Sequence, residues 1–129
     1  MIRAAVAVVL LSLTGAACAG GHDCTTVGGV SQVFVDLVAL GPQVAGSTVC
    51  VDGACTDTLG SGQALSPLPS DDPATHEVTV AVHGADGREL ARGAGRFSTA
   101  ELRPNGEGCD PVLQQINLVM GADGTLTPR

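Results

Sequence analysis

Apolar and polar residues alternate along most of this chain, and no window of about twelve residues keeps a helical period. Residues 30–40 are dense in Val and Leu, with Val33, Val35 and Leu37 on one face, and Gly41-Pro42 ends the run. Residues 48–58 read as two short strands around Asp52-Gly53. Asp-Gly is a favoured two-residue hairpin loop because both positions need positive φ. Residues 60–73 are rich in Gly, Ser and Pro and predict a loop that carries the chain between sheets. Residues 77–83 alternate cleanly, with Val78, Val80 and Val82 set against Glu77, Thr79, Ala81 and His83. Asp86-Gly87 is a second hairpin signal, and residues 88–98 are its return strand.

A two-residue loop at Asp86-Gly87 places Val82, Val80 and Val78 opposite Ala91, Gly93 and Gly95. Large side chains then meet small ones on an inner face, and Glu77 meets Arg96 outside, an exposed pair worth about 0–1 kcal/mol. A longer turn would exchange the two faces, since a slip of one residue flips every side chain. Pro104-Asn105-Gly106-Glu107-Gly108 reads as a turn, within a loop over 103–110. Residues 112–120 form the last long strand, with Ile116, Leu118 and Met120 on one side. Ala122-Asp123-Gly124 is a third turn, followed by a short edge strand at 125–127. About seven strands separated by turn signals predict an all-β fold over 30–129, a two-sheet sandwich of immunoglobulin or fibronectin-III type. Its core is almost purely aliphatic, for the chain has no Trp and no Tyr, and its aromatics are Phe34 and Phe97.

The first residues carry an address. Arg3 is a minimal positive region, residues 4–13 are apolar except for Ser12, and small residues follow. This pattern is that of a secretory signal, and it is far shorter than the ~20 apolar residues a membrane span needs. Two processing routes fit it. Ala17-Cys18-Ala19 suits ordinary signal peptidase, which removes 1–19 and leaves Gly20 first. Gly15-Ala16-Ala17-Cys18 resembles a bacterial lipobox, which removes 1–17 and makes Cys18 the lipid-modified first residue. Gly15 departs from the Leu, Val or Ile preferred there, while Ala17 and the short leader favour the lipoprotein route. Residues 18–29 then form a tether to the domain.

Cysteine counting points the same way. The chain has five Cys, at 18, 24, 50, 55 and 109, and both routes remove Cys18 from the thiol pool. The remaining four suit two disulfides in an oxidising compartment. The Asp52-Gly53 hairpin sets Cys50 opposite Cys55 as a non-hydrogen-bonded pair, with Cα atoms about 4.5 Å apart, near the lower limit for a bridge. That pairing leaves Cys24 for Cys109. In the chain-entropy account the short loop contributes about 2 kcal/mol and the long one about 4.5 kcal/mol. The spacing of Cys50 and Cys55 is not the C-x-x-C of thiol oxidoreductases, nor does it suit zinc.

Composition narrows the function. The net charge is −7 and all six basic residues are Arg, so the basic stripe that nucleic-acid binding needs is missing. Without Lys there is no Schiff-base chemistry, PLP anchor or Walker-type loop. No hydrolase, zincin or dinucleotide motif occurs. His22 lies in the N-terminal tether, and His76 and His83 stand at opposite ends of one strand, roughly 20 Å apart; all three read as surface residues. Asp52, Asp86 and Asp123 begin Asp-Gly turns, which explains them without calcium; Asp71-Asp72 lies in the polar loop.

The pattern resembles small exported proteins and lipoproteins of high-G+C Gram-positive bacteria that have no assigned activity. The likeness rests on Gly15-Ala16-Ala17-Cys18, on the hairpin Cys50-Val51-Asp52-Gly53-Ala54-Cys55, on residues 85–90 and on residues 104–111. It implies a compartment and an immunoglobulin-like sandwich, and it carries no functional residues. The expected protein is a non-catalytic cell-envelope lipoprotein on the extracellular face of the membrane, held through Cys18 and stapled by Cys24, Cys50, Cys55 and Cys109. It needs no cofactor or metal and binds a protein partner in the envelope through sheet edges and the loops at 60–73 and 103–110. The alternatives are a freely secreted binding factor or inhibitor and, more distantly, a metal-dependent or enzymatic domain.

Overall fold

Alternation becomes strand wherever it was clean, and a computed structural model describes the result for residues 24–60, 62–68, 70 and 72–129. The expected signal segment with Cys18 and His22 lies outside these residues, as does Asp71. Among the described residues there are nine strands: β1 (Gln32–Asp36), β2 (Thr48–Val51), β3 (Ala54–Asp57), β4 (Gln63–Pro67), β5 (Thr75–His83), β6 (Glu89–Ser98), β7 (Ala100–Leu102), β8 (Leu113–Met120) and β9 (Leu126–Pro128). One sheet runs β4-β1-β8, and β8 pairs β7 near its start and β9 near its end. The other runs β3-β2-β5-β6. Strands β1 and β8 are parallel neighbours, and the remaining pairs are antiparallel. The fold is an all-β sandwich of two sheets.

The core between the sheets is aliphatic. Val33 and Val35 from β1 and Ile116, Leu118 and Met120 from β8 face Val49 and Val51 from β2 and Val78, Val80 and Val82 from β5. Each of these ten is at most 4% exposed. Phe97 packs at the margin of this cluster, over the space that a side chain at Gly95 would take.

Three departures from the sequence pattern have physical causes. First, the apolar run at 30–40 is strand only as far as Asp36. The Asp36 carboxylate accepts the Val38 amide at 3.0 Å and turns the chain into two single-turn 3-10 helices, Val38–Leu40 and Pro42–Val44. Leu40 and Val44 remain buried and close one end of the core. Second, the polar stretch at 60–73 is not simply a loop, because it contains β4. Its inward positions are Ala64 and Ser66, 1% and 3% exposed, so an inner face made of small residues hides the alternation. Third, β7 is three exposed residues long and has no hydrophobic pattern to read.

The hairpin at Asp52-Gly53 forms as expected. Asp52 and Gly53 both have positive φ, and Cys50 stands opposite Cys55. The hairpin at 84–88 does not have a two-residue loop. The Gly84 amide donates to the Arg88 carbonyl and the Gly87 amide to that of Gly84, which makes a three-residue loop. Alone, that extra residue would exchange the faces. A β-bulge after His83↔Glu89 leaves Leu90 unpaired and restores the register, so Val82, Val80 and Val78 do face Ala91, Gly93 and Gly95. Glu77 and Arg96 are partners in register, yet no ion pair closes between them among the described residues.

Candidate interaction surfaces

Both expected disulfides are present. Cys24–Cys109 spans a Cα separation of 5.6 Å and Cys50–Cys55 one of 3.9 Å, closer than the spacing expected from the hairpin alone. The first is part of a larger fastening. Around Cys109 the chain makes two tight turns: the Gly106 amide reaches the Arg103 carbonyl, and the Cys109 amide reaches the Gly106 carbonyl. Gly106 and Gly108 have positive φ, and the Asp110–Pro111 peptide bond is cis. This loop presents Asn105 inward, where it is 5% exposed.

Asn105 lies in the turn that the sequence predicts, and the structure gives it a further role. Its Oδ1 accepts from Thr25 Oγ1 at 2.8 Å and from the Val27 amide at 2.7 Å. Its Nδ2 donates to the carbonyls of Val27 and Asp110, at 2.9 and 2.6 Å. Two donors and two lone pairs exhaust what an amide side chain offers. Residues 24–27 are thus strapped onto the loop at 103–110 by one disulfide and one saturated amide. Only burial distinguishes this turn from an ordinary surface Asn-Gly, and burial is not written in the dipeptide.

The two outer faces of the sandwich differ in chemistry. On the β2–β5–β6 sheet, the Cys50–Cys55 bridge lies at the surface among charged groups. Arg92 and Glu89 form an ion pair at 2.8 Å, and His83 stands 3.9 Å from the same carboxylate. Hydrogen bonds from Arg92 hold the Glu89 carboxyl below the usual carboxylate range, and Glu89 in turn raises Arg92. The outer face of the β4–β1–β8 sheet is largely neutral. Phe34 sits at its centre, paired in register with Leu65 on one side and Asn117 on the other, with Gln32 beside Gln115. Its charged pair, Arg129 and Asp36 at 3.4 Å, lies on the rim.

Clefts open at the margins of the two sheets, two of them beside the 3-10 helices and the C-terminal residues. One of about 370 Å³ lies where the 3-10 helices meet the β3–β4 connection, and Val38 and Leu59 flank it, 61% and 50% exposed. The other, about 300 Å³, lies where β6 leads into β7, against β8 and the C-terminal residues, and includes Arg96, Phe97, Ile116 and Arg129. Neither gathers groups suited to proton transfer. Among the described residues no three His, Cys, Asp or Glu side chains converge on a metal-sized site. Asp52, Asp86 and Asp123 all use a carboxylate oxygen to accept a backbone amide, from Thr79, Arg88 and Thr125. His76 and His83 are half-buried rather than at the free surface, and His76 Nε2 is covered without a partner among the described residues. The sheet turns His76 inward, toward its partner Phe97. No helix among the described residues is long and apolar enough to cross a membrane. Comparisons with protein families, curated proteins and solved structures find no match to this chain.

Proposed function

We propose that this protein is a non-catalytic binding module of a bacterial cell envelope, an immunoglobulin-like sandwich exported and tethered by a lipid on Cys18. The observation that supports it most is the strap. Its disulfide and the surface bridge suit an oxidising compartment, and the strap fixes Cys24 to the fold only six residues after Cys18. A domain pulled from its N-terminus transmits the load directly to the Cys24–Cys109 bridge. Asp52, Asp86 and Asp123 are engaged in turns and Glu89 and Arg92 in a surface pair, which suits binding by contact rather than catalysis.

Intact mass of the natively exported protein, in membrane and medium fractions, tests this reading. The expected species sits in the membrane, begins at a diacylglyceryl-modified Cys18, and gains four hydrogens when its two disulfides are reduced. A chain beginning at Gly20 in the medium replaces the tethered module with a diffusible binding factor. No gain on reduction removes the argument for an oxidising compartment.

A further inference from the structure

The strap does more than close the domain: it fixes which end of the sandwich lies near Cys18. Strands β1 and β8 are parallel, so both start at the end that carries Cys24, Cys109 and Asn105. Exposed apolar side chains collect there. Val27 hangs from Asn105, 53% exposed, and Val30 lies two residues before β1, 65% exposed. Leu102 is the partner of Leu113, the first residue of β8, and is 43% exposed. Gly29 ties these together, since a Cβ there would stand 2.7 Å from the Leu113 side chain.

Covalent reach sets the distance. Six residues from Cys18 to Cys24 span at most about 20 Å when fully extended. The opposite end, with Val38 and Leu59, is farther off by at least the length of β1. Leu59 bridges to Gln63, whose partner is Asp36 at the end of that strand.

We propose that the strap end of the sandwich rests against the phospholipid surface in which Cys18 is anchored. Val27, Val30 and Leu102 lie at headgroup depth, and the cleft between Val38 and Leu59 faces away, toward whatever approaches the cell. The proposal rests on the lipoprotein reading. Three aliphatic side chains bind a bilayer weakly on their own; the anchor supplies the high local concentration that makes their contact persistent. Glu107 and Asp110 lie at the same end, and Arg103 is engaged by Glu101 at 2.6 Å. That acidic margin opposes deep insertion and makes the contact shallow and looser on anionic lipid.

The absence of Trp allows a clean test, because one introduced Trp is the only indole signal. Val30→Trp and Leu59→Trp, both at exposed positions, are prepared as full-length lipidated protein, with the lipid verified by mass. Each is placed in phosphatidylcholine vesicles carrying a headgroup nitroxide. Quenching at position 30 is expected to exceed that at position 59 at least twofold, and the difference is expected to narrow when phosphatidylglycerol is added. Equal quenching in verified lipoprotein overturns the orientation and leaves the tether standing. A chain without lipid overturns the tether and the orientation together. Wild-type protein in nitroxide-bearing nanodiscs gives an independent reading free of substitutions. Methyl signals of Val27, Val30 and Leu102 should broaden before those of Val38 and Leu59, and the reverse order would reject the proposal.

Discussion

Two turns of this protein share one sequence. Residues 84–87 and residues 121–124 both read Gly-Ala-Asp-Gly. Their hydrogen bonds agree: Gly84 to Arg88 and Gly87 to Gly84 in one, Gly121 to Thr125 and Gly124 to Gly121 in the other. In each the Asp carboxylate accepts the amide two residues on, at 3.0 Å. In each the last glycine has positive φ, 82° for Gly87 and 87° for Gly124. In each the first glycine lies against that carboxylate, 3.1 Å from Asp86 Oδ1 and 2.9 Å from Asp123 Oδ1 to an added Cβ. The local sequence therefore specifies the turn completely. Its surroundings are a separate matter. A side chain at Gly87 meets nothing within 4 Å, whereas one at Gly124 collides with the Arg92 carbonyl of β6, and one at Gly93 of β6 collides with the Gly124 carbonyl. The second turn is where the end of the β8–β9 hairpin docks backbone to backbone on the opposite sheet.

The largest effect should come from substitutions that separate these roles. Gly87→Ala meets only the left-handed backbone penalty, about 1–2 kcal/mol. Gly124→Ala meets that penalty plus overlap with β6, for a total of about 2–5 kcal/mol. Gly93→Ala meets the overlap alone, about 1–3 kcal/mol. Urea midpoints of the three oxidised variants measure the series. Equal losses at Gly87 and Gly124 would mean that the hairpin end does not dock on β6. Such losses are large against the 5–15 kcal/mol typical of a folded domain.

A second comparison sets Asn105-Gly106 against Asp52-Gly53. Both are turn dipeptides in sequence. Asp52 sits at an exposed hairpin tip with positive φ, its carboxylate accepting the Thr79 amide at 2.8 Å. Asn105 is buried and holds four partners. Asn105→Ala should cost about 2–4 kcal/mol, because it leaves several buried polar groups short of a partner. Asn105→Asp retains the shape but loses the two donated bonds, so it should not rescue. Hydrogen exchange at the Val27 amide should accelerate in Asn105→Ala, and less in Asn105→Asp, which keeps the oxygen that accepts it. If it stays slow, the disulfide alone holds the strap.

These contrasts also explain how far the sequence could be read. The faces of β5 and β6 were legible because Val78, Val80 and Val82 are large and their partners Ala91, Gly93 and Gly95 small. The register that a two-residue loop predicts holds although the loop has three residues, since the bulge at Leu90 compensates the third. Nothing local announces that compensation; it follows from the need to keep the valines in the core. The disulfides were legible because four cysteines and one Asp-Gly leave little choice. β4 was hidden because Ala64 and Ser66 carry no hydrophobic signal, and the run at 37–40 misled because Leu37 and Leu40 are buried through a turn rather than a strand. The strap was invisible for the same kind of reason. Asn105 acts on Thr25 and Val27, about eighty positions away.

The smallest effect lies in the one local difference between the twin turns. The residue after the last glycine is Arg88 in the first and Thr125 in the second. Thr125 donates its hydroxyl to Asp123 Oδ2 at 2.9 Å as well as its amide to Oδ1. The amide and then the hydroxyl hold the Asp123 carboxyl below the usual carboxylate range. A carboxyl held low in the folded state adds stability above its unfolded pKa, near 4, and loses it as pH falls through the folded value. Thr125→Val removes the hydroxyl and keeps the amide. The Asp123 titration, followed by carboxyl NMR, should move upward toward the ordinary range without reaching it. Wild type should be slightly more stable than Thr125→Val at pH 6, and the part of that gap due to the charged carboxylate should close as the pH falls toward 2. A gap independent of pH would assign the threonine a packing role instead. The twin turns would then differ in their surroundings alone.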